Sequence, residues 1–307
     1  MARILLLGQA AFGRDVLAGL LAAGHEISAV SLPPDREGRA LDPLKEAALA
    51  AGLDTVQRRS YRDADAASAL RANTVDIAVL AFVTQIIPVE LLDAPRLASL
   101  CFHPSLLPAY RGGSAINWQI IRGETRGGLA LFRPDAGLDA GPVYLEKELV
   151  IGPDDTAGSY YYSTVFETGV AATLESVELL LAGEAVPRVQ DESLASYDPL
   201  CRDEHAVVDF DRPRDGLHDL VRGCDPSPGA HCLWRGEILR LYGSRKVDGE
   251  RAAAGTVLVI DDDGMTVACA DGALRFARLG TASVRKAAAA ELADGLGLAV
   301  GARLEVA

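Results

Sequence analysis

The chain has 307 residues, of which 49% are apolar and 24% are charged, and its mean hydropathy is +0.14. It contains 30 Lys and Arg and 43 Asp and Glu, so its net charge is negative. This acidic balance disfavours nucleic acid as a partner, because binding the phosphate backbone depends on basic side chains. The longest apolar run, residues 77–83, is too short for a membrane span of about 20 residues, and five cysteines without a CxxC motif indicate reduced thiols in a cytoplasmic protein.

The first 82 residues alternate short apolar strands with helical segments. The predicted strands cover residues 3–8, 25–32 and 76–82, and the predicted helices cover residues 13–23 and 42–51. Such alternation predicts βαβ units and a mainly parallel sheet. A strand, a glycine-led turn and a helix in succession are typical of the start of a doubly wound, Rossmann-like α/β fold.

A second group of elements follows between residues 97 and 182. Strands are predicted over residues 97–102, 127–133 and 143–150, and helices over 114–121 and 156–182. Two features interrupt the elements of this part: a proline-flanked turn at His103–Pro108 and a glycine-rich turn at residues 135–141.

The pattern changes beyond about residue 200, where prolines become frequent and the predicted strands are short. These strands cover residues 233–242, 255–260, 265–269 and 274–279, with tight turns such as Asp263-Gly264 between them. Short strands with tight turns predict a small antiparallel, OB-like β-barrel. We therefore expect a catalytic α/β domain over residues 1–203 and a barrel domain over 204–307.

The turn after the first strand has two glycines, Gly8 and Gly13, with four residues between them. It lacks the Lys-Ser/Thr of a phosphate-binding P-loop and the G-x-G-x-x-G of a dinucleotide site. The simpler interpretation is a tight strand-to-helix turn. A nicotinamide-dependent oxidoreductase is kept as a minor alternative.

His103 ends a predicted sheet strand, which is where open α/β sheets bind ligands, and its side chain suits proton transfer near neutral pH. Asp139, in the glycine-rich turn, could orient it, although an aspartate there could equally cap the turn, and Asp135 is a rival. Cys101 points to the same face as His103 and is either a nucleophile or a buried apolar filler.

A cluster of His218, Cys224, His231 and Cys232 lacks the spacing of known metal-binding motifs. We expect a structural role for it, and no metal site is predicted.

Three stretches together carry a family resemblance: Phe102–Pro108, Tyr110–Trp118 and Asp135–Pro142. They resemble the folate-dependent formyltransferase family, which includes methionyl-tRNA formyltransferases and the N-terminal hydrolase domains of 10-formyltetrahydrofolate dehydrogenases. Further segments match in the same order, so the resemblance covers nearly the whole chain; they are Gly8-Gln9, Phe12-Gly13, Gln85–Pro88, Ala94–Arg96, Pro153–Thr156 and Arg222–Ala230.

The resemblance implies that 10-formyltetrahydrofolate is the one-carbon donor and that no metal is needed. It implies that His103 and Asp139 are the catalytic histidine and aspartate, and that Gln85, Ile86 and Ile87, together with Asp139, contact the folate. The chain departs from the transferases at Cys101, where they have an asparagine thought to hydrogen-bond the formyl oxygen. A thiol is a weaker donor than an amide, so Cys101 is included among the candidate catalytic residues.

The expected activity is formyl transfer to a small molecule or to an acceptor bound to a carrier protein, in a specialised biosynthetic pathway. Residues 204–307 contain 13 Lys and Arg against 16 Asp and Glu, which disfavours tRNA as the acceptor. Two alternatives remain: a 10-formyltetrahydrofolate hydrolase that releases formate, and a folate-binding protein with little catalysis.

Overall fold

The computed structural model describes residues 1–62, 75–248 and 252–307, which form two compact units. Each unit combines several stretches of chain: the first comprises residues 1–113, 128–149 and 164–197, and the second comprises residues 114–127, 150–163 and 198–307. In these described ranges, no helix is both long enough and apolar enough to cross a membrane.

The elements before residue 183 alternate largely as predicted. In chain order they are β1 (Arg3–Gly8), α1 (Ala10–Ala22), β2 (Glu26–Leu32), α2 (Pro43–Ala50), β3 (Thr55–Gln57), β4 (Ile77–Ala81), α3 (Val89–Leu92), β5 (Ala98–His103), α4 (Ala115–Ile121), β6 (Arg126–Phe132), β7 (Val143–Val150), α5 (Ala157–Tyr160), a π-helical turn (Tyr161–Val165) and α6 (Phe166–Ala182).

A seven-stranded sheet with the order β3-β2-β1-β4-β5-β6-β7 organises these elements. Strands β1 to β5 pair in parallel, whereas β6 runs antiparallel to β5. Strand β4 is buried at every position, which is typical of a parallel strand covered on both faces and explains its continuous apolar sequence. The predicted Rossmann-like α/β fold is confirmed.

Helix α1 begins at Ala10, three residues before the predicted start. Both carboxylate oxygens of Asp42 accept the backbone N–H of Ala10, each at 2.9 Å, and Asp42 also accepts the N–H of Leu44 at the start of α2. One carboxylate therefore caps two helices. The cap of α1 comes from 32 residues away, which is why its local sequence gave no sign of the earlier start.

The helix predicted over residues 156–182 is divided into α5, the π-helical turn and α6. Thr156 and Ser159 form a reciprocal capping box at its start, and the β-branched Thr164 and Val165 lie in the π-helical turn. Within α6, a Cβ atom at Gly169 would lie 2.7 Å from Cε2 of Phe102, so a glycine is required for this close approach of α6 to β5.

The elements of the C-terminal hundred residues are α7 (Arg214–Gly223), β8 (His231–Trp234), β9 (Glu237–Val247), β10 (Val257–Asp261), β11 (Gly264–Cys269), β12 (Gly272–Gly280), β13 (Ala287–Ala288) and α8 (Ala289–Gly295). The strands form an antiparallel sheet in the order β10-β11-β12-β9-β8, with β13 beside β12. This architecture agrees with the predicted small barrel.

One prediction for this region was wrong in detail, and one helix was not predicted. The strand predicted over residues 233–242 is the hairpin of β8 and β9, which turns at Arg235 and Gly236, both with positive φ angles of 52° and 80°. Arginine is an unusual residue for such a turn, and its guanidinium stacks on Trp234. The helix that was not predicted is α7, and Pro213 directly precedes its first residue, a position that proline favours.

Candidate functional site

His103 is the last residue of β5, and its side chain is only 6% exposed. A stiff loop follows, in which the hydroxyl of Ser105 donates to the carbonyl oxygen of Ala109 at 2.6 Å. The loop returns the carbonyl oxygen of Tyr110 to within 2.8 Å of His103 Nε2. Because a carbonyl only accepts hydrogen bonds, Nε2 carries a proton and donates it, which leaves Nδ1 as the nitrogen that can gain or lose one.

The structure brings Asp139 to His103. Its Oδ2 lies 3.6 Å from His103 Nδ1 and accepts the backbone N–H of Gly112 at 2.8 Å. The Asp139 side chain is 19% exposed and its backbone is left-handed, with φ of 51°. The carboxylate thus faces Nδ1, whereas the carbonyl of Tyr110 fixes the ring at Nε2.

Asp135, the rival carboxylate of the same loop, has the local role that short acidic side chains often take in turns. Its Oδ1 accepts the backbone N–H of Gly137, two residues further on, at 2.8 Å. The two aspartates of this loop therefore differ in their contacts: Asp139 faces the histidine, and Asp135 bonds within the turn.

Cys101 pairs with Leu80 of β4 and with Phe132 of β6, and it packs against apolar clusters that include these strands. Burial raises the pKa of its thiol well above the ordinary value, and the negative charge of Asp139 raises it further. A cysteine attacks as the thiolate, so this environment disfavours the nucleophile hypothesis. It is consistent with Cys101 as an apolar side chain beside the pair.

The three predicted folate-contact residues lie after β4 and have different surroundings. Gln85 donates from Nε2 to the carbonyl oxygen of Arg58 at 2.9 Å, and its Oε1 is buried without a hydrogen-bond partner among the described residues. Ile87 is 9% exposed and lines an apolar slot, whereas Ile86 is 69% exposed. The buried, unpaired acceptor of Gln85 suits a ligand that carries N–H donors.

The second unit contains the histidines and cysteines for which no metal site was predicted. His218 contacts the hydroxyl of Ser244 at 2.9 Å and the carbonyl oxygen of Pro153 at 3.0 Å. Within the ranges that the structure describes, no group of three or more His, Cys, Asp or Glu is arranged to hold a metal ion.

Sequence reasoning missed several groups that contact the pair. The carbonyl of Tyr110 and the N–H of Gly112 are backbone groups within the Tyr-Arg-Gly-Gly segment, whose position after His103 was the only signal available. Gln190 lies 51 residues beyond Asp139 and donates to its carbonyl oxygen at 2.9 Å, and no pattern in the sequence indicated it.

Comparisons with known proteins identify relatives of this chain. The chain is 38% identical over 247 residues to the mitochondrial 10-formyltetrahydrofolate dehydrogenase of Mus musculus, an alignment that covers 79% of the chain and 27% of the relative. It is 36% identical over 306 residues to the methionyl-tRNA formyltransferase of Solibacter usitatus (strain Ellin6076), with 95% of each chain covered. The chain thus spans about a quarter of the length of the dehydrogenases that it matches.

A solved structure shares the fold. HypX from Aquifex aeolicus, in complex with tetrahydrofolic acid, superposes with a TM-score of 0.71 at 21% identity, over 97% of this chain and 48% of that one. The family profile described as Formyl transferase matches residues 2–174, and that of the Formyl transferase C-terminal domain matches residues 201–297. With more than half of its length matched, the chain belongs to the formyl transferase family of enzymes.

Proposed function

We propose that this protein is a folate-dependent formyltransferase that takes the formyl group from 10-formyltetrahydrofolate and passes it to a small-molecule or carrier-bound acceptor. The observation that carries the proposal is the buried pair of His103 and Asp139 at the carboxyl end of β5, in a chain of this family. Catalytic roles are proposed for these two residues. Cys101 is proposed to sit next to the reacting group.

The surroundings of Gln85 fit the proposed donor. The pterin ring of a folate carries N–H groups, which match the unpaired acceptor Oε1 of Gln85. We propose that Gln85 and Ile87 contact the ring and that Ile86, which is exposed, covers its outer side. Asp139 would contact the folate near the reacting nitrogen.

The proposed chemistry is acyl transfer by acid–base catalysis. The folate supplies a formyl group on N10, and the acceptor supplies the attacking atom. The acceptor atom bonds to the formyl carbon, the bond between that carbon and N10 breaks, and His103 carries the proton of the acceptor to N10 through Nδ1. The carbonyl of Tyr110 holds the ring during this transfer, and Asp139 stabilises its charged form. Backbone N–H groups stabilise the charge that develops on the formyl oxygen, because the thiol of Cys101 is a weak donor.

Hydrolysis is the second candidate function. It is favoured by the apolar, protonated thiol of Cys101 in the place where transferases have an amide, and by the 38% identity to a 10-formyltetrahydrofolate dehydrogenase. In this version water is the acceptor, and formate and tetrahydrofolate are the products. The third candidate is a protein that binds folate and catalyses little or no reaction.

The charge of the C-terminal residues supports the class of acceptor that we propose. Residues 204–307 have 13 basic against 16 acidic residues, so we propose a small or carrier-bound acceptor in a specialised biosynthetic pathway of the cytoplasm, although a methionyl-tRNA formyltransferase is among the relatives. We further propose that residues 1–203 form the catalytic domain and residues 204–307 the accessory domain. Initiator methionyl-tRNA is accordingly included in the test as a competing acceptor.

The test is incubation with 10-formyltetrahydrofolate, first without an acceptor and then with amines, hydroxylamines, carrier thiols or methionyl-tRNA. Tetrahydrofolate is followed by absorbance and formate by a separate assay. Turnover that needs an acceptor supports the transferase, and equal release of formate and tetrahydrofolate without one supports the hydrolase. In either case His103→Ala should lower turnover at least about 100-fold, and His205→Ala, in the second unit, should not. Folate binding without turnover under any condition would refute the proposal.

A further inference from the structure

The segment of residues 188–197, here called the strap, follows α6 and belongs to the first unit. It contacts both loops that flank His103. Arg188 exchanges two backbone hydrogen bonds of 2.8 Å with Val143, at the end of the loop of Asp139. The N–H of Arg111, in the loop after β5, donates to the carbonyl oxygen of Ser196 at 3.0 Å. One segment therefore connects the two loops of the candidate site.

The side chain of Gln190 uses its whole hydrogen-bonding capacity in this connection. Its Nε2 donates to the carbonyl oxygens of Asp139 and Gly141, at 2.9 and 2.6 Å. Its Oε1 accepts from Nε and Nη2 of Arg111, at 3.1 and 2.7 Å. An amide has two N–H groups and two acceptor lone pairs, and all four are engaged here, so the side chain has one orientation.

Arg111 is equally saturated and is fully buried. Besides Gln190, its guanidinium donates from Nη1 and Nη2 to the two carboxylate oxygens of Glu192, at 3.0 and 2.7 Å, and from Nη1 to the hydroxyl of Tyr197. Its five N–H donors thus all have acceptors, and Glu192 balances the charge. Any displacement of Arg111 would leave a buried donor unpaired, which makes it a rigid anchor for Gln190.

The strap also contacts the two strained residues of the site. Asp139 and Tyr110 both have left-handed backbones, with φ of 51° and 60°, which non-glycine residues keep only where the surroundings enforce them. Gln190 holds the carbonyl of Asp139, and the hydroxyl of Ser196 accepts the N–H of Tyr110 at 2.8 Å. These are the two residues whose oxygen atoms face the two ring nitrogens of His103.

We propose that Gln190 is a positioning residue for Asp139, that Arg111 acts through Gln190, and that Ser196 has the corresponding role for Tyr110. The strap fixes the left-handed backbones, which in turn aim the carboxylate and the carbonyl at His103. This assignment rests on the proposed roles of His103 and Asp139. It adds to them residues that touch neither the folate nor the acceptor.

The test compares Gln190→Met, which keeps the size of the side chain and removes its amide, with Ser193→Ala. Ser193 lies in the strap, and its hydroxyl bonds Asp191. We expect Gln190→Met to lower kcat for release of the formyl group at least about tenfold with KM for the folate little changed, because misplaced catalytic groups lose rate more than binding. Ser193→Ala should match the native enzyme. In an Asp139→Asn background the same Gln190 substitution should cost about twofold or less, because its effect passes through Asp139.

A second measurement does not depend on turnover. The N–H of Gly112 is bonded to the carboxylate of Asp139, so its hydrogen exchange should quicken at least about tenfold in Gln190→Met and stay unchanged in Ser193→Ala. If Gln190→Met changes neither the exchange of the Gly112 N–H nor kcat, the assignment is overturned. It is also overturned if Gln190→Met lowers kcat by the same factor in the native and the Asp139→Asn backgrounds. If Gln190→Met does not fold, Ser196→Ala removes only the bond to Tyr110, and a native kcat in that variant would equally overturn it. Failure of the proposed function can be told apart from failure of this assignment. In the former case Asp139→Asn would be fully active, or the native protein would be inactive.

Discussion

Replacing Asp139 by asparagine separates the charge of this residue from its place in the loop. An asparagine Oδ1 can still accept the N–H of Gly112, so the left-handed turn is expected to persist. What disappears is the negative charge 3.6 Å from His103 Nδ1. The substitution should therefore affect catalysis far more than folding.

The distance sets the scale of the effect. Two unit charges 3.6 Å apart interact by about 1 kcal/mol in water and by about 5 kcal/mol at an effective dielectric constant of about 20. The pair is mostly buried, with side-chain exposures of 6% and 19%, so the value lies between these limits. A loss near the middle, about 3 kcal/mol, corresponds to a fall in kcat of about 100-fold.

The assay is release of tetrahydrofolate from 10-formyltetrahydrofolate, with the unfolding free energy measured in parallel. Asp135→Asn is the matched control, because it alters the other aspartate of the same turn, whose contact is with Gly137. We expect Asp139→Asn to lose about 100-fold in kcat and at most about 1 kcal/mol in stability, and Asp135→Asn to stay within a few-fold in kcat. A fully active Asp139→Asn, or a greater loss in Asp135→Asn, would refute the reasoning.

Three further predictions concern cysteines. Cys101→Asn should lower the unfolding free energy by about 1–3 kcal/mol, because the new amide is buried and needs hydrogen-bond partners. The same variant should transfer formyl groups to amines faster than the native protein, whereas Cys101→Ala should not. Equal transfer rates in the two variants would contradict a position of residue 101 beside the formyl group. Limiting iodoacetamide at pH 7.5 should label Cys201 before the other cysteines, as detected by mass spectrometry. The reason is that the hydrogen bond from Cys224, 4.0 Å away, lowers the pKa of this half-buried thiol. Faster labelling of Cys101 would contradict this prediction. Burial raises the pKa of Cys232 to about 12, so the unfolded chain loses this proton first and stability falls as pH rises from about 9 toward 12. Cys232→Ala should make that fall shallower by up to about 1.4 kcal/mol per pH unit in denaturant titrations, and an unchanged slope would refute the assignment.

Local pattern was sufficient for six of the seven strands of the first sheet, all except β3, and for the position of His103. Strands such as β4 are apolar throughout because both of their faces are covered, and a continuous apolar run can be recognised in one sequence. The place of His103 after such a strand was therefore visible, as was Asp139 once the family motifs were recognised. The start of α2 at Pro43 could also be predicted, because its capping residue, Asp42, directly precedes it.

Features that depend on contacts distant in sequence could not be predicted. Helix α1 begins early because Asp42 caps it from another part of the chain, and Gln190 reaches Asp139 from 51 residues away. The hairpin turn at Arg235 was hidden because arginine rarely adopts a positive φ angle. In each case the residue type carries little information by itself, and only the folded neighbourhood gives it a role.

The shared cap of α1 and α2 bears on which ligands the turn after β1 can accept. In nucleotide-binding relatives of this architecture a phosphate occupies the amino end of the first helix. Here Asp42 is a tethered anion at that position, engaged with Ala10 through both of its oxygens. A diffusing phosphate would have to displace a competitor that is covalently attached and therefore present at a very high effective concentration. The chain thus supplies its own anion at this position, which disfavours a phosphate ligand there.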